Sequence, residues 1–437
     1  MSSAPADSRA VSPDNSNTNY GRPLAIVTTL FFMWGALTAL NDILIPHLKS
    51  IFDLNYAKVM LVNSAFFGAY FVFSIPSSKV IESIGYKRSM VTGLFVMALG
   101  TALFIPAASV AFFPLFLTAL IVLAAGITLL QVSANPYVSV LGRPETASSR
   151  LNLTQAFNSL GTTVAPYIGG LLILSAAPMS SEAMHNLAGA ALHAYRTQGA
   201  SSVKMPYLVL TVALALLGVV IALSRLPQLE ALEQPAKGEE RTGHGSSLWH
   251  YRQLVLGAVG IFTYVGAEVA IGSFLVNYMS QSYIGGISEQ TAAKYVAFYW
   301  GGAMVGRFIG SGLLQKIRTG KLLMTVALVA ASLVATSMLT FGHIAMWTIL
   351  AVGLFNSIMF PSIFTLGIDG LGNLTSKASG ILIMAIVGGA IIPVAQGVIA
   401  DRIGIHHAFI LPILCYLYIA YFAFDRYQAE AANPHAA

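Results

Sequence analysis

Asp42 and Glu268 each sit inside a long apolar run, Asp42 in FFMWGALTALNDILIP and Glu268 in IFTYVGAEVAIGSF. A carboxylate near the middle of a bilayer costs about 2.5–3.5 kcal/mol on insertion-based scales. Only 9% of the chain is charged, so acids at such positions read as an ion or substrate site inside a membrane. Amides accompany them. Asn41 and Asn63 lie in the first two apolar runs, and Gln131 and Asn135 in the fourth. Asn152, Gln155 and Asn158 lie in the fifth, Asn277 in the seventh and Asn356 in the tenth. Gln155 and Asn158 share a helix face by their spacing of three. Amides both donate and accept hydrogen bonds, as does every hydroxyl of a hexose. Trp34, Tyr264, Tyr299 and Trp300 are available to stack on the apolar face of a sugar ring. A phosphate or carboxylate substrate needs several basic residues at depth. Arg307, a candidate partner for Glu268 or a gating residue, is the one basic residue placed there.

The elements that must position these groups are apolar helices. The chain has 437 residues, 56% hydrophobic, with a mean hydropathy of +0.73; soluble domains carry about 25% charged residues. Twelve apolar runs begin near residues 24, 59, 89, 112, 151, 206, 253, 292, 321, 345, 377 and 405, each near the ~20 residues a spanning helix needs. They are continuous rather than alternating, which excludes a membrane β-barrel. The expected fold class is an all-α membrane protein with twelve transmembrane helices in two pseudo-symmetric six-helix bundles. With both termini in the cytoplasm, sixteen basic residues fall on the cytoplasmic side and six on the other. That bias is the positive-inside pattern, so the net charge of +6 reports topology and no nucleic-acid partner is expected. The single cysteine, Cys415, offers neither a disulfide framework nor a metal cluster. No Ser/His/Asp set, metal spacing or phosphate loop suggests an enzyme.

Five parts follow from these runs: a disordered cytoplasmic tail (1–22), an N-terminal bundle (23–225), a polar cytoplasmic linker (226–250), a C-terminal bundle (251–427) and a cytoplasmic tail (428–437). A short amphipathic surface helix is expected within 178–204. The halves repeat weakly. Gly161, Pro166 and Gly170 recur as Gly388, Pro393 and Gly397, 227 positions on. Gly68, Lys87 and Met90 recur as Gly302, Lys321 and Met324 at a shift of 234, and Gln131 with Pro136 as Asn356 with Pro361 at 225. Internal repeats with a substrate site near the midplane mark many transporters.

ESIGYKR (82–88) resembles the loop motif of major facilitator transporters, with Glu82 in place of Asp and Ser78 where the motif begins with Gly. The resemblance implies that Glu82, Lys87 and Arg88 form a cytoplasmic latch of ion pairs between the halves. NDILIP (41–46), SANPYVSVLG (133–142), RLNLTQAFNSLG (150–161), YVGAEVAIGSFLVNY (264–278), GRFIG (306–310) and FPSIFTLGI (360–368) together resemble the fucose–proton symporter family of the major facilitator superfamily, in its glucose/galactose permease branch. The likeness spans roughly residues 24–425.

That resemblance implies alternating access and cation-coupled import of a monosaccharide, with Asp42 as the coupling acid. Fucose-type members carry a Glu where this chain has Gln131, and a Gln where it has Glu268, so their two-carboxylate scheme does not carry over. The Glu268 form is similar to the glucose/galactose branch, and Gln155 and Asn158 match the family's sugar-contacting positions. The substrate-binding set expected is Asn41, Gln131, Gln155, Asn158, Glu268, Asn277, Trp300 and Asn356. The partners expected are D-glucose or D-galactose and the lipid bilayer, for a monomer in a bacterial inner membrane. No cofactor is expected beyond the co-transported proton. A sodium-coupled hexose symporter, a fucose permease and a multidrug–proton antiporter remain the alternatives.

Overall fold

The computed structural model describes residues 20–52, 56–173, 187, 189–227 and 248–432, with 41–50, 56–65, 166–173 and 431–432 described as backbone alone. In the first half, α1 is Gly21–Phe52. α2, Tyr56–Val110, consists of two limbs interrupted at Gly85 (φ 81°, ψ 166°). α3 is Phe113–Val140, α4 is Ala147–Ile173, α5 is Gly189–Ser201 and α6 is Lys204–Leu223. In the second half, α7 is Arg252–Met279, α8 is Glu289–Leu313 and α9 is Thr319–Leu339. One crossing is then built from α10 (Gly342–Asn356) and α11 (Met359–Ile368), and another from α12 (Thr375–Met384) and α13 (Gly388–Ile403). The short α14 (Ile405–Ala408) leads into α15 (Ile410–Ala432).

Nine described segments are long and apolar enough to span a bilayer. One of them, Phe66–Val110, contains the Gly85 break and supplies two crossings. α4 and α8 do not qualify on apolarity; they carry Arg150, Asn152, Gln155 and Asn158, and Glu289, Lys294 and Arg307. With them the twelve helices are complete. α5 falls inside the stretch expected to hold a surface helix.

The repeat in the sequence is a repeat in packing. A Cβ on Gly161 of α4 would lie 2.3 Å from the Phe32 carbonyl oxygen of α1, and one on Gly388 of α13 would lie 2.1 Å from the Phe262 carbonyl oxygen of α7. Helices in lipid approach this closely only where a small residue removes the side chain between them.

Both described ends of the chain lie at one face, called here the terminal face. Gly21 of α1 shares a groove with Val220 of α6, and Tyr427 of α15 lies against Gly320 of α9. The halves meet in a seam that starts at this face. Ser148 Oγ and Thr365 Oγ1 are 2.5 Å apart, and Ser149 Oγ donates to the Ser311 carbonyl at 2.7 Å. Asn152 Nδ2 donates to the Arg307 carbonyl at 2.7 Å, and Ser379 Oγ to the Val132 carbonyl at 2.9 Å. Among the described residues, the cross-half hydrogen bonds reach no farther along α4 than Thr163, beside Met304 Sδ.

Because the Gly388 crossing has no room for a methyl group, Gly388→Ala should destabilise the second bundle by about 1–3 kcal/mol, the usual range for overpacking. A lower midpoint of heat unfolding in detergent would register this, and an unchanged midpoint would contradict it.

Candidate functional site

Glu268 lies midway along α7 and is half-buried. Tyr264, one turn earlier, donates its hydroxyl to Glu268 Oε1 at 2.8 Å. This is the i, i+4 pairing that a helix makes possible. Among the described residues no protein group bonds Oε2. The backbone of the same residue is also held: Tyr299 of α8 donates its hydroxyl to the Glu268 carbonyl at 3.1 Å. Asn356, the last residue of α10, donates Nδ2 to the Tyr299 hydroxyl at 2.8 Å, and its Oδ1 accepts from Tyr416 of α15 at 2.8 Å. Tyr264, Tyr299, Asn356 and Tyr416 are all buried.

Burial and bonding run against the expectations for four residues. Asn356 is buried with both poles of its amide bonded to tyrosines, against the expectation that it is presented to a substrate. The rings of Tyr264 and Tyr299 are closed off from stacking, as is Trp34. Trp300 remains open, at 44% exposure. Its indole lies against Gly272, whose added Cβ would fall 2.9 Å from Trp300 Cζ2, one turn beyond Glu268.

The first half carries a counterpart. Gln131 of α3 donates Nε2 to the Tyr70 hydroxyl of α2 at 2.6 Å, and Trp34 of α1 bonds that hydroxyl too. Here the amide oxygen is different: among the described residues Gln131 Oε1 is buried with no partner, and so are both amide atoms of Asn135, one turn on. Buried polar atoms are nearly always satisfied, so these poles stand out as positions able to accept or donate a further hydrogen bond. On α4, Asn158 donates Nδ2 to the Phe31 carbonyl at 2.9 Å, tying α4 to α1. Gln155 is buried and has no partner among the described residues.

Prolines explain two further contacts. A prolyl nitrogen frees the carbonyl four residues earlier. Pro136 frees that of Val132, taken by Ser379 from the other half at 2.9 Å. Pro361 frees that of Ser357, taken by Arg307 Nε at 3.4 Å. Arg307 also donates Nη1 to Ser159 Oγ of α4. It therefore sits on the seam, and no ion pair within 4.0 Å joins it to Glu268.

The latch is narrower than the loop motif implies. Glu82 pairs with Lys377 across the halves at 3.4 Å and accepts from Ser376 at 3.4 Å. Both partners of the pair are well exposed, so screening keeps its contribution small. Lys87 instead donates to the carbonyls of Ala222 (2.9 Å) and Ser224 (2.7 Å), capping α6 in its own half. Arg88 is exposed. Arg150, absent from the expected site, performs the same service for α3, donating Nη2 to the Ser139 carbonyl at 2.8 Å and Nη1 to that of Arg143 at 2.7 Å. A cation there complements a helix C-terminus. Asn277 is exposed; nine residues past Glu268 it lies about 180° around α7, on the opposite face. Asn41, Asp42 and Asn63 lie outside the residues whose side chains are described. A separate groove between α1, α4 and α6, lined by Leu24, Phe32, Leu153, Phe157, Leu216 and Val220 among others, is too apolar to bind a polyol and suits a lipid chain.

Comparison with known proteins agrees with this architecture. Residues 26–392 match the Major Facilitator Superfamily. The chain is 54% identical over 420 residues to a "Glucose/galactose transporter" of Brucella abortus biovar 1 (strain 9-941), covering 96% of this chain and 98% of that protein. It is 35% identical over 435 residues to the "L-fucose-proton symporter" of Escherichia coli (strain K12), covering 97% of each. A crystal structure of the major facilitator transporter FucP in the outward conformation superposes with a TM-score of 0.86 at 35% identity, covering 93% of this chain and 99% of that one. The chain belongs to the major facilitator superfamily.

Arg307→Lys keeps the charge but loses the fork that serves Ser159 and Ser357 together. It should loosen the seam, raising the rate at which a thiol reagent added from the terminal face labels Ser149→Cys. An unchanged labelling rate would remove Arg307 from the seam's support.

Proposed function

We propose that this chain is a cation-coupled symporter that imports a hexose, glucose or galactose, by alternating access. The observation that carries the reading is that each half holds a polar group of its own: Glu268, whose Oε1 is held by Tyr264, and Gln131, whose buried oxygen has no partner among the described residues. A hexose hydroxyl can donate to a carboxylate and to an amide oxygen, and Trp300 offers an exposed ring one turn from Glu268. The names of the relatives from Brucella abortus and Escherichia coli support a monosaccharide as cargo. An apolar drug would leave these polar groups unpaired at a cost of about 1–3 kcal/mol each.

In this scheme the bundles 23–225 and 251–427 rock about a site between them, in a bacterial inner membrane with both termini cytoplasmic. The terminal face is then the cytoplasmic face, and the seam is its closed gate. Sugar enters from the outside and binds Gln131, Gln155, Asn158 and Glu268. Asp42 takes up the coupling proton. Closure over the sugar requires a neutral Asp42, because an unpaired charge in a dried cavity is strongly disfavoured. The seam then opens, and sugar and proton leave inward.

Asp42→Asn should abolish uphill accumulation driven by a pH gradient while sugar counterflow persists; accumulation at the parent level would refute the coupling role. Uptake that instead follows external sodium at fixed pH and membrane potential would replace the proton by sodium. Glucose or galactose at 100 times Kd should stabilise the purified protein by about 2.7 kcal/mol, with fucose, mannose and xylose weaker. Glu268→Gln should reduce that shift, and stabilisation by apolar cations alone would favour drug export.

A further inference from the structure

The carboxylate of Glu268 is not positioned by its own helix alone. A directed chain of hydrogen bonds ends on its peptide group. Tyr416 of α15 donates to Asn356 Oδ1, Asn356 Nδ2 donates to Tyr299 of α8, and Tyr299 donates to the Glu268 carbonyl, at 2.8, 2.8 and 3.1 Å. Each donor has one acceptor, so the amide orientation of Asn356 and the rotor of each hydroxyl are fixed together. All three side chains are fully buried. A carbonyl oxygen has two lone pairs, so it can serve the α7 helix and Tyr299 at once.

The place of Asn356 matters as much as its bonds. It is the last residue of α10, and α11 resumes at Met359 ahead of Pro361. Its backbone is therefore at a helix break, where the regular ladder no longer fixes the height of the side chain. α11 itself belongs to the seam, through Thr365 and Ser148. The equivalent amide of the first half, Gln131, reaches a tyrosine of α2, while no described residue takes its oxygen. The two halves thus share the amide-to-tyrosine bond and differ in how the chain ends.

We propose that Tyr299, Asn356 and Tyr416 are positioning residues that set the height and direction of the Glu268 carboxylate, and through it the affinity for sugar. The proposal rests on the reading of Glu268 as a sugar ligand. Removing one hydroxyl leaves the fold's volume intact while releasing the Glu268 carbonyl. Tyr416→Phe acts two bonds further away, so its effect runs in the same direction and is smaller.

The test uses the full-length protein in liposomes, with folding checked by the heat-unfolding midpoint. Tyr299→Phe should raise the sugar Kd by roughly tenfold, the scale at which a site loosens when its support is removed. The saturated rate of counterflow should stay within about twofold, since the seam is untouched. In a Glu268→Gln background the same substitution should cost clearly less than in the parent, because coupled residues are not additive. Positioning is also read without sugar: the rate at which a thiol reagent from the outside labels Glu268→Cys should change severalfold when Tyr299 becomes Phe. An unchanged labelling rate, or Kd effects that multiply independently, overturns the proposal. An unchanged Kd in Glu268→Gln alone, with labelling still altered, instead overturns Glu268 as a sugar ligand and leaves the positioning intact.

Discussion

A spanning helix in lipid has no water to satisfy a stray polar group, so every carbonyl that proline frees must find a donor in the protein. Two such carbonyls, those of Val132 and Ser357, lie at matching places in the two halves. Neither is capped locally. Ser379 reaches across from the opposite bundle to one, and Arg307 leans from α8 to the other while touching α4. A defect in each helix has therefore become a joint between helices. The Ser379 tie across the seam and the hold of Arg307 on the break between α10 and α11 both go to carbonyls that these two prolines free.

The duplication gives the halves the same plan and different endings. Gln131 and Asn356 each donate to a tyrosine on the neighbouring helix. In the second half Tyr416 then takes the remaining amide oxygen, and the polar end of the system is displaced to Glu268. In the first half no described residue takes it. The second half thus ends in a carboxylate held at one oxygen, and the first in an amide whose oxygen no described residue takes.

Much of the fold was legible because apolar run length and charge bias act through the bilayer alone. The Gly161 and Gly388 repeat was also readable, since backbone contact permits no other residue type. The site was less legible. Whether an amide is spent or free depends on distant partners: Asn356 is saturated by a tyrosine sixty residues later in the chain. Arg307 looked like a partner for Glu268 because charges attract, but its fork is taken up by Ser159 and a carbonyl. Asn277 was the avoidable case, as counting residues around α7 places it opposite Glu268. The relation of Lys87 to α6 rests on loop geometry that no periodicity encodes.

The chemistry of the seam bears on how freely it can part. Many of its bonds join small hydroxyls and one carboxamide to backbone carbonyls, through Ser149, Asn152 and Ser379, or to another hydroxyl, as Ser148 to Thr365. Each of these bonds can be exchanged for one to water at nearly equal free energy. An interface of leucine and phenylalanine would instead have to wet apolar area, at about 25 cal/mol for every Å². This boundary can therefore hydrate stepwise from its rim, like a zip rather than a plug, and its two endpoints stay close in energy.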